Sequence, residues 1–334
     1  MKKTKILLAL VIPALLISCS KDPELPYDLD GTLHTFAVSV TKSTKYDLLL
    51  DAGSTGGDYY VKLEVPQNMG DYSSYFKEAQ LLCVYTPDSG AIKSAIAVEG
   101  ITTLPAEVKI DMPALCNKLG ITAPEIGDKM QFTVNIIHKD GTLVPGWTPT
   151  MGFNYRGPSF FKMADGSKFN YSATFSAAAP INEAHFAGGN TIKCTESVGA
   201  GPYEASYGAD ITRMASSEIP AEIYGTDFTA DDIIGLIISF DWYGWGYQEK
   251  MKMYINKKDY SVIIPDQVVG QTDENFYYYS IYPYIGDFYF SNANAELNTQ
   301  TSIVSVTMNA AWRIAIGSLG FGSDNYEFDF GTVL

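Results

Sequence analysis

Histidine is nearly absent: 334 residues hold three, His34, His138 and His185. With so few, His-rich metal sites have little to build on, while carboxylate sites stay open. There is no HExxH helix and no GxSxG elbow, so neither the zinc-protease nor the serine-hydrolase motif is present. Each His reads as a surface or strand residue. Basic residues are also scarce, 23 against 38 acidic ones, for a formal net charge of -15. Duplex nucleic acid needs Lys and Arg to neutralise phosphate, so no nucleic acid partner is expected. Charged residues make up only 18% and hydrophobic ones 46%, which excludes a disordered chain. Cys83, Cys116 and Cys194 form no CxxC; they read as small buried thiols rather than zinc ligands. Gly53 to Gly57 lack the Gly-Lys-Ser/Thr of a phosphate-binding loop. Neither a metal nor a cofactor is expected.

A long apolar run is missing too. Ile6 to Ile17 is apolar for twelve residues, with Pro13 inside it. As a helix that is about 18 Å, short of a bilayer core of about 30 Å. Behind Lys2, Lys3 and Lys5 it reads as a signal-peptide core. It ends in Leu16-Ile17-Ser18-Cys19, which resembles a bacterial lipobox. That resemblance implies cleavage after residue 18 and a lipid on Cys19. Three Lys and no acids would leave with residues 1–18, so 20 basic residues face 38 acidic ones in the remainder. Membrane attachment is then through the lipid anchor only. Residues 19–33, rich in Pro and acids, read as a tether.

Beyond the tether the chain reads as all-β. His34 to Thr41 and Asp58 to Val65 alternate. Glu78 to Thr86 and Ala91 to Glu99 flank Pro87-Asp88-Ser89-Gly90, a turn in which Pro fixes φ and Gly accepts positive φ. Met130 to His138 and Thr142 to Trp147 flank Lys139-Asp140-Gly141, a hairpin signal. One helix is expected: Asp111 caps it, Pro113 sits in its first turn, Gly120 closes it. Residues 34–155 are therefore expected to form an immunoglobulin-like β-sandwich, with 156–169 as a linker. Residues 170–334 are expected to form a second β-sandwich, or a meander closing as a barrel. Strands are predicted there at Asn170 to Ser176, Gly235 to Tyr243, Gln248 to Ile255, Tyr260 to Ile264, Tyr277 to Tyr284, Phe288 to Ser291, Ser302 to Asn309, Trp312 to Ile316 and Tyr326 to Phe330. Ala230 to Ile238 is ambiguous; its β-branched residues favour a strand, after a turn that Thr229 and Asp232 can cap.

Aromatic clusters are the functional lead. Trp242, Tyr243, Trp245 and Tyr247 fall in one, and strand alternation would put Tyr243, Trp245 and Tyr247 on one face. Residues Phe276 to Phe290 form another. Flat rings bury the C–H face of a sugar while nearby polar groups bond its hydroxyls. The competing reading places these rings in the core of a β-domain. Asp51-Ala52-Gly53-Ser54 has part of an aspartic-protease pattern but no second copy. Asp227, Asp231 and Asp232 have the oxygens for Ca²⁺ but no EF-hand spacing, and read as a solvated loop.

The start Cys-Ser-Lys-Asp-Pro-Glu resembles the mature N-terminus of Bacteroidetes outer-membrane lipoproteins. The segment Asp111 to Gly120, then Gly127-Asp128-Lys129, Phe132-Thr133 and His138 to Gly141, resembles domains of the SusE/SusF-like accessory lipoproteins. The resemblance spans about residues 19–155 and implies a cell-surface protein of a polysaccharide-uptake system. The expectation is a non-catalytic, surface-exposed outer-membrane lipoprotein that binds glycan. Its alternatives are an interaction subunit of an outer-membrane transporter complex and a glycoside hydrolase. The last would need two carboxylates about 5–10 Å apart across a cleft.

Overall fold

A computed structural model describes residues 35–69, 71–154, 161–198, 204–241, 248–271, 285–314 and 317–334. Cys19 and the tether lie outside them. The chain divides into Met1–Phe36 and Ala37–Leu334, and the second unit is all-β.

Its first part has two sheets. Strands β1 (Ser39–Lys42), β3 (Tyr60–Glu64) and β6 (Ala106–Lys109) make one, in the order β1-β3-β6. The other runs β2 (Leu50–Asp51), β11 (Ala173–Ala178), β7 (Lys129–His138), β4 (Phe76–Thr86), β5 (Lys93–Ile101), with β8 (Leu143–Val144) paired to β7. A short ladder joins β9 (Trp147–Thr148) and β10 (Gly152–Phe153). Period-two alternation buries Val61 and Leu63 on β3 and turns Tyr60, Lys62 and Glu64 outward. Tyr59 meets Phe175 edge-on, and Phe175 meets Phe132, so rings from three segments interlock in the core.

The expected local signals are in place. Helix α1 (Met112–Leu119) begins where Asp111 accepts from Ala114 N at 3.0 Å. It ends where Gly120 takes φ +64°, a left-handed cap that costs a Cβ-bearing residue more. The edge strand β5 is covered by α1: Lys118 Nζ donates to Ile96 O and Lys93 Nζ to Gly120 O. That occupies part of an edge that could otherwise recruit a foreign strand.

The strand expected over Asn170 to Ser176 forms as β11, but in the N-terminal sheet. It pairs antiparallel with β7 and parallel with β2. The chain leading to it is drawn back by Asn170, whose O accepts from Val40 N at 2.7 Å and whose N donates to Ser39 Oγ. The first sheet system therefore uses residues beyond 169.

The second part is one antiparallel nine-stranded sheet. Its order is β16 (Val262–Ile263), β15 (Gln248–Asn256), β14 (Ile233–Asp241), β13 (Glu204–Arg213), β12 (Thr191–Val198), β20 (Gly317–Val333), β19 (Ile303–Ile314), β18 (Ile285–Asn298), β17 (Gln267–Gln271). Thr229 N and Oγ1 donate to Asp232 just before β14, so the ambiguous stretch is a capped turn followed by a strand. The strand predicted at Ser302 to Asn309 and the part of Trp312 to Ile316 that lies among the described residues are one strand, β19. Tyr277 to Tyr284 lies outside the described residues.

The sheet curls shut. Phe240 on β14 and Phe290 on β18 lie five strand steps apart along it, about 24 Å on a flat sheet at 4.8 Å per step. Their ring centroids are 6.1 Å apart. Gln267 on β17 then acts as a surrogate strand for β15: its Oε1 accepts from Lys252 N at 2.7 Å and its Nε2 donates to Lys252 O at 2.9 Å. The interior is filled by aliphatic residues around Phe240, Phe288, Phe290, Tyr326 and Phe328, the rings at most 1% exposed. It is a packed core rather than a channel.

The two parts are stitched together. Leu48 N donates to Lys258 O, Lys258 Nζ reaches Asp47 at 2.6 Å, and Tyr260 OH donates to Asp51 Oδ1 at 3.4 Å. Burial, then the Asp47 charge, raises the Asp51 carboxyl above the usual carboxylate range. Asp47, Asp51, Lys258 and Tyr260 line a polar cleft of about 240 Å³ together with Asp232 and Lys257.

Candidate functional site

Of the residues expected to carry binding, Trp242, Tyr243, Trp245 and Tyr247 lie outside the described residues. The strands they connect pair as far as Asp241 and Gln248. The second aromatic cluster divides. Phe288 and Phe290 point into the barrel at 1% and 0% exposure, so they are core and not a ligand platform. Burying each is worth about 1.5–3 kcal/mol, and that explains why a strand here is so aromatic.

Two of the three His residues are described. His138 is buried against the Tyr75 ring at 5.2 Å. His185 makes a contact that no motif announced: Nδ1 lies 2.8 Å from Ser302 Oγ, and Nε2 lies 2.9 Å from Asn182 Nδ2. Asn182 donating to Nε2 leaves the proton on Nδ1, which then donates to Ser302. An imidazole so placed cannot accept the Ser302 proton. Ser302 is also 2% exposed, and its carbonyl accepts from Phe330 N. The group bolts a turn at φ +56° to the barrel and is not a hydrolase centre. Asp231 and Asp232 serve turns in the same way, Asp231 accepting from Ser216 Oγ at 2.7 Å.

Nothing in the local sequence singled out the outer face of the β1-β3-β6 sheet. Register places Tyr60 opposite Lys109 and Lys62 opposite Glu107. The turn after β1, closed by Tyr46 N to Ser43 O at 3.2 Å, folds Tyr46 over Tyr60. The two rings stack at 3.8 Å with 18° between their planes. Charged groups rim them. Lys109 Nζ contacts Asp58 at 2.7 Å and sits 5.6 Å from the Tyr60 centroid, and Glu107 accepts from Ser43 Oγ. The Lys109 contact holds the Asp58 carboxyl below its ordinary range and raises the Lys109 ammonium. Desolvation, then Glu107, raises the Tyr46 phenol, so it stays a neutral donor.

Two clefts lie further along β3, toward Glu64, and the ring pair lines neither. One, of about 280 Å³, is lined by Lys45, Lys62, Glu64, Pro105, Ala106 and Glu107. The other, of about 320 Å³, shares Glu64 and Pro105 and adds Gln67, Tyr72 and Met163. Their walls combine ring and aliphatic surface with amide, ammonium, phenol and carboxylate groups. That mixture suits a ligand with apolar faces and a hydroxyl rim. The signal was present in Asp58 to Glu64, but Tyr46 lies fourteen residues before Tyr60 and only the fold brings the rings together.

No family model, curated protein or solved structure matches this chain. Among the described residues no helix is long and apolar enough to cross a membrane.

Proposed function

We propose that this chain is a lipid-anchored protein of the outer-membrane surface that binds glycan without transforming it, in a polysaccharide-uptake system. The anchor rests on Cys19 at the end of its lipobox-like run. The binding reading is carried by one observation, the Tyr46 ring stacked on Tyr60 of β3, the strand whose Lys62 and Glu64 line the neighbouring clefts. A sugar ring stacks on the phenol surface, and Glu64, Glu107 and Lys62 bond its hydroxyls. Trp242, Tyr243, Trp245 and Tyr247 are a second aromatic set for the same ligand class, read from the sequence.

Calorimetric titration with a panel of neutral and acidic polysaccharides tests both surfaces. Tyr46→Ala is expected to weaken binding about two- to tenfold, since an aromatic stacking contact is worth about 0.5–1.5 kcal/mol. Trp245→Ala separates the second surface from the first. Unchanged affinity in both variants, or turnover of any polymer, overturns the proposal.

A further inference from the structure

The barrel core contains two buried acids, and among the described residues no cation lies against Asp324. Glu196 on β12 and Asp324 on β20 both point inward and are both fully buried. Glu196 lies opposite Tyr326, and Asp324 lies one inward position further along β20, between Val198 on β12 and Met308 on β19. Glu196 has a donor, Tyr207 OH, at 2.8 Å from Oε2. Asp324 has none: both its oxygens are buried without a hydrogen-bond partner.

The titratable groups facing Asp324 are Glu196 and Cys194 from β12, Tyr207 from β13 and Tyr326 from β20 itself. Among the described side chains none is a cation: Lys193 on β12 and Lys250 and Lys252 on β15 are exposed, and Arg213 on β13 pairs with Glu183. Phe240, Phe290 and Met308 supply the apolar remainder. A buried carboxylate without donors or a counter-charge is among the most costly groups a core can hold. A proton removes that cost. Of the two acids, the one lacking a donor is the one that should keep it, because the Tyr207 hydroxyl stabilises the charged form of Glu196.

We infer that Asp324 is protonated in the folded barrel beside an ionised Glu196, and that loss of this proton is a built-in switch that loosens the β12–β20 seam. Burial, then the Glu196 charge, raises the Asp324 carboxyl to about 7. An unfolded Asp titrates near 3.9. The folded-state value is raised, so the stabilisation is full below about pH 4 and is lost as pH rises through about 7. Val198 and Asp324 form the last pair on this seam. Ionisation there puts charge at the point where β12 ends.

The test is thermal unfolding of the full chain from pH 5 to pH 8.5, with amide exchange read at residues 196–198 and 324–326. The wild type is expected to lose several degrees of Tm across that range and to exchange faster at those amides. Asp324→Asn, isosteric and uncharged, is expected to flatten the profile and to melt above the wild type at pH 8.5. A parallel profile in Asp324→Asn overturns the inference. So does Ca²⁺ stabilising the wild type but not the variant at pH 8.5, because the pair would then be neutralised by a cation. A variant that fails to fold leaves the infrared C=O stretch of the wild type as the readout. A protonated-carboxyl band at pH 6 that disappears by pH 9, and persists in Asp51→Asn, supports the switch; its absence at pH 6 overturns it.

Discussion

Among the described residues each of the two β-systems buries one aspartate, and they solve the same problem in opposite ways. Asp128 in the N-terminal sandwich is 2% exposed and surrounded by donors. Tyr85 OH and Glu125 N donate to one oxygen, and Asp88 N donates to the other at 2.9 Å. Asp324 in the barrel is equally buried and has no donor. The first carboxylate clamps two loops, 87–88 and 124–128. The second is left to the proton. A buried acid can therefore be a structural rivet or a titrating element, and the count of donors around it decides which.

The largest effect that would sharpen this contrast comes from the barrel's packing rather than its charge. Phe240 touches Tyr207, Phe290, Tyr326 and Phe328. Phe240→Ala is expected to cost about 3–5 kcal/mol, because a filled interior cannot collapse around so large a void. Urea denaturation reads it. A loss under about 1 kcal/mol would show that the barrel is loosely filled, and that Asp324 is not in a rigid apolar setting.

Next in size is Asp128→Asn. Replacing one acceptor oxygen by an NH₂ turns it against a buried N–H or O–H donor. The expected loss is about 3 kcal/mol from one unsatisfied group and weakened charge-assisted bonds. The asymmetry is the test: Asn at 128 destabilises near neutral pH, whereas Asn at 324 stabilises above it. The same sign at both positions would break the comparison.

What the sequence revealed follows the same division. The N-terminal elements carried local chemistry: Asp111, Pro113 and Gly120 marked α1, and the Pro87 to Gly90 and Lys139 to Gly141 turns set two hairpins. In the barrel, β12 and β13 escaped notice. Their inward positions include Glu196, Tyr207 and Ala209 beside Ile192 and Ile211, so the hydrophobic alternation lapses where the interior turns polar. Strands β19 and β20 were read as shorter pieces because Asn309, Gly320 and Gly322 interrupt their pattern, although pairing continues through them. The binding face escaped for another reason. Tyr46 and Tyr60 are ordinary strand and turn residues in sequence, and their stacking is a tertiary fact. Trp242 to Tyr247 was legible as composition, but composition does not say which way a ring points.

The smallest expected effect concerns how the barrel closes. The nine-stranded sheet has no backbone ladder between β15 and β17; Gln267 spans the gap with one acceptor and one donor on the same residue, Lys252. Gln267→Ala removes both bonds. Each is worth about 1 kcal/mol net, and Lys252 is exposed, so water recovers part of the loss. The expected cost is about 1 kcal/mol, with faster amide exchange at Lys252 and little change on β12 or β20. If exchange instead rose along the β12–β20 seam, closure at β15–β17 would be holding the acid pair in place, and the two ends of the barrel could no longer be treated as independent.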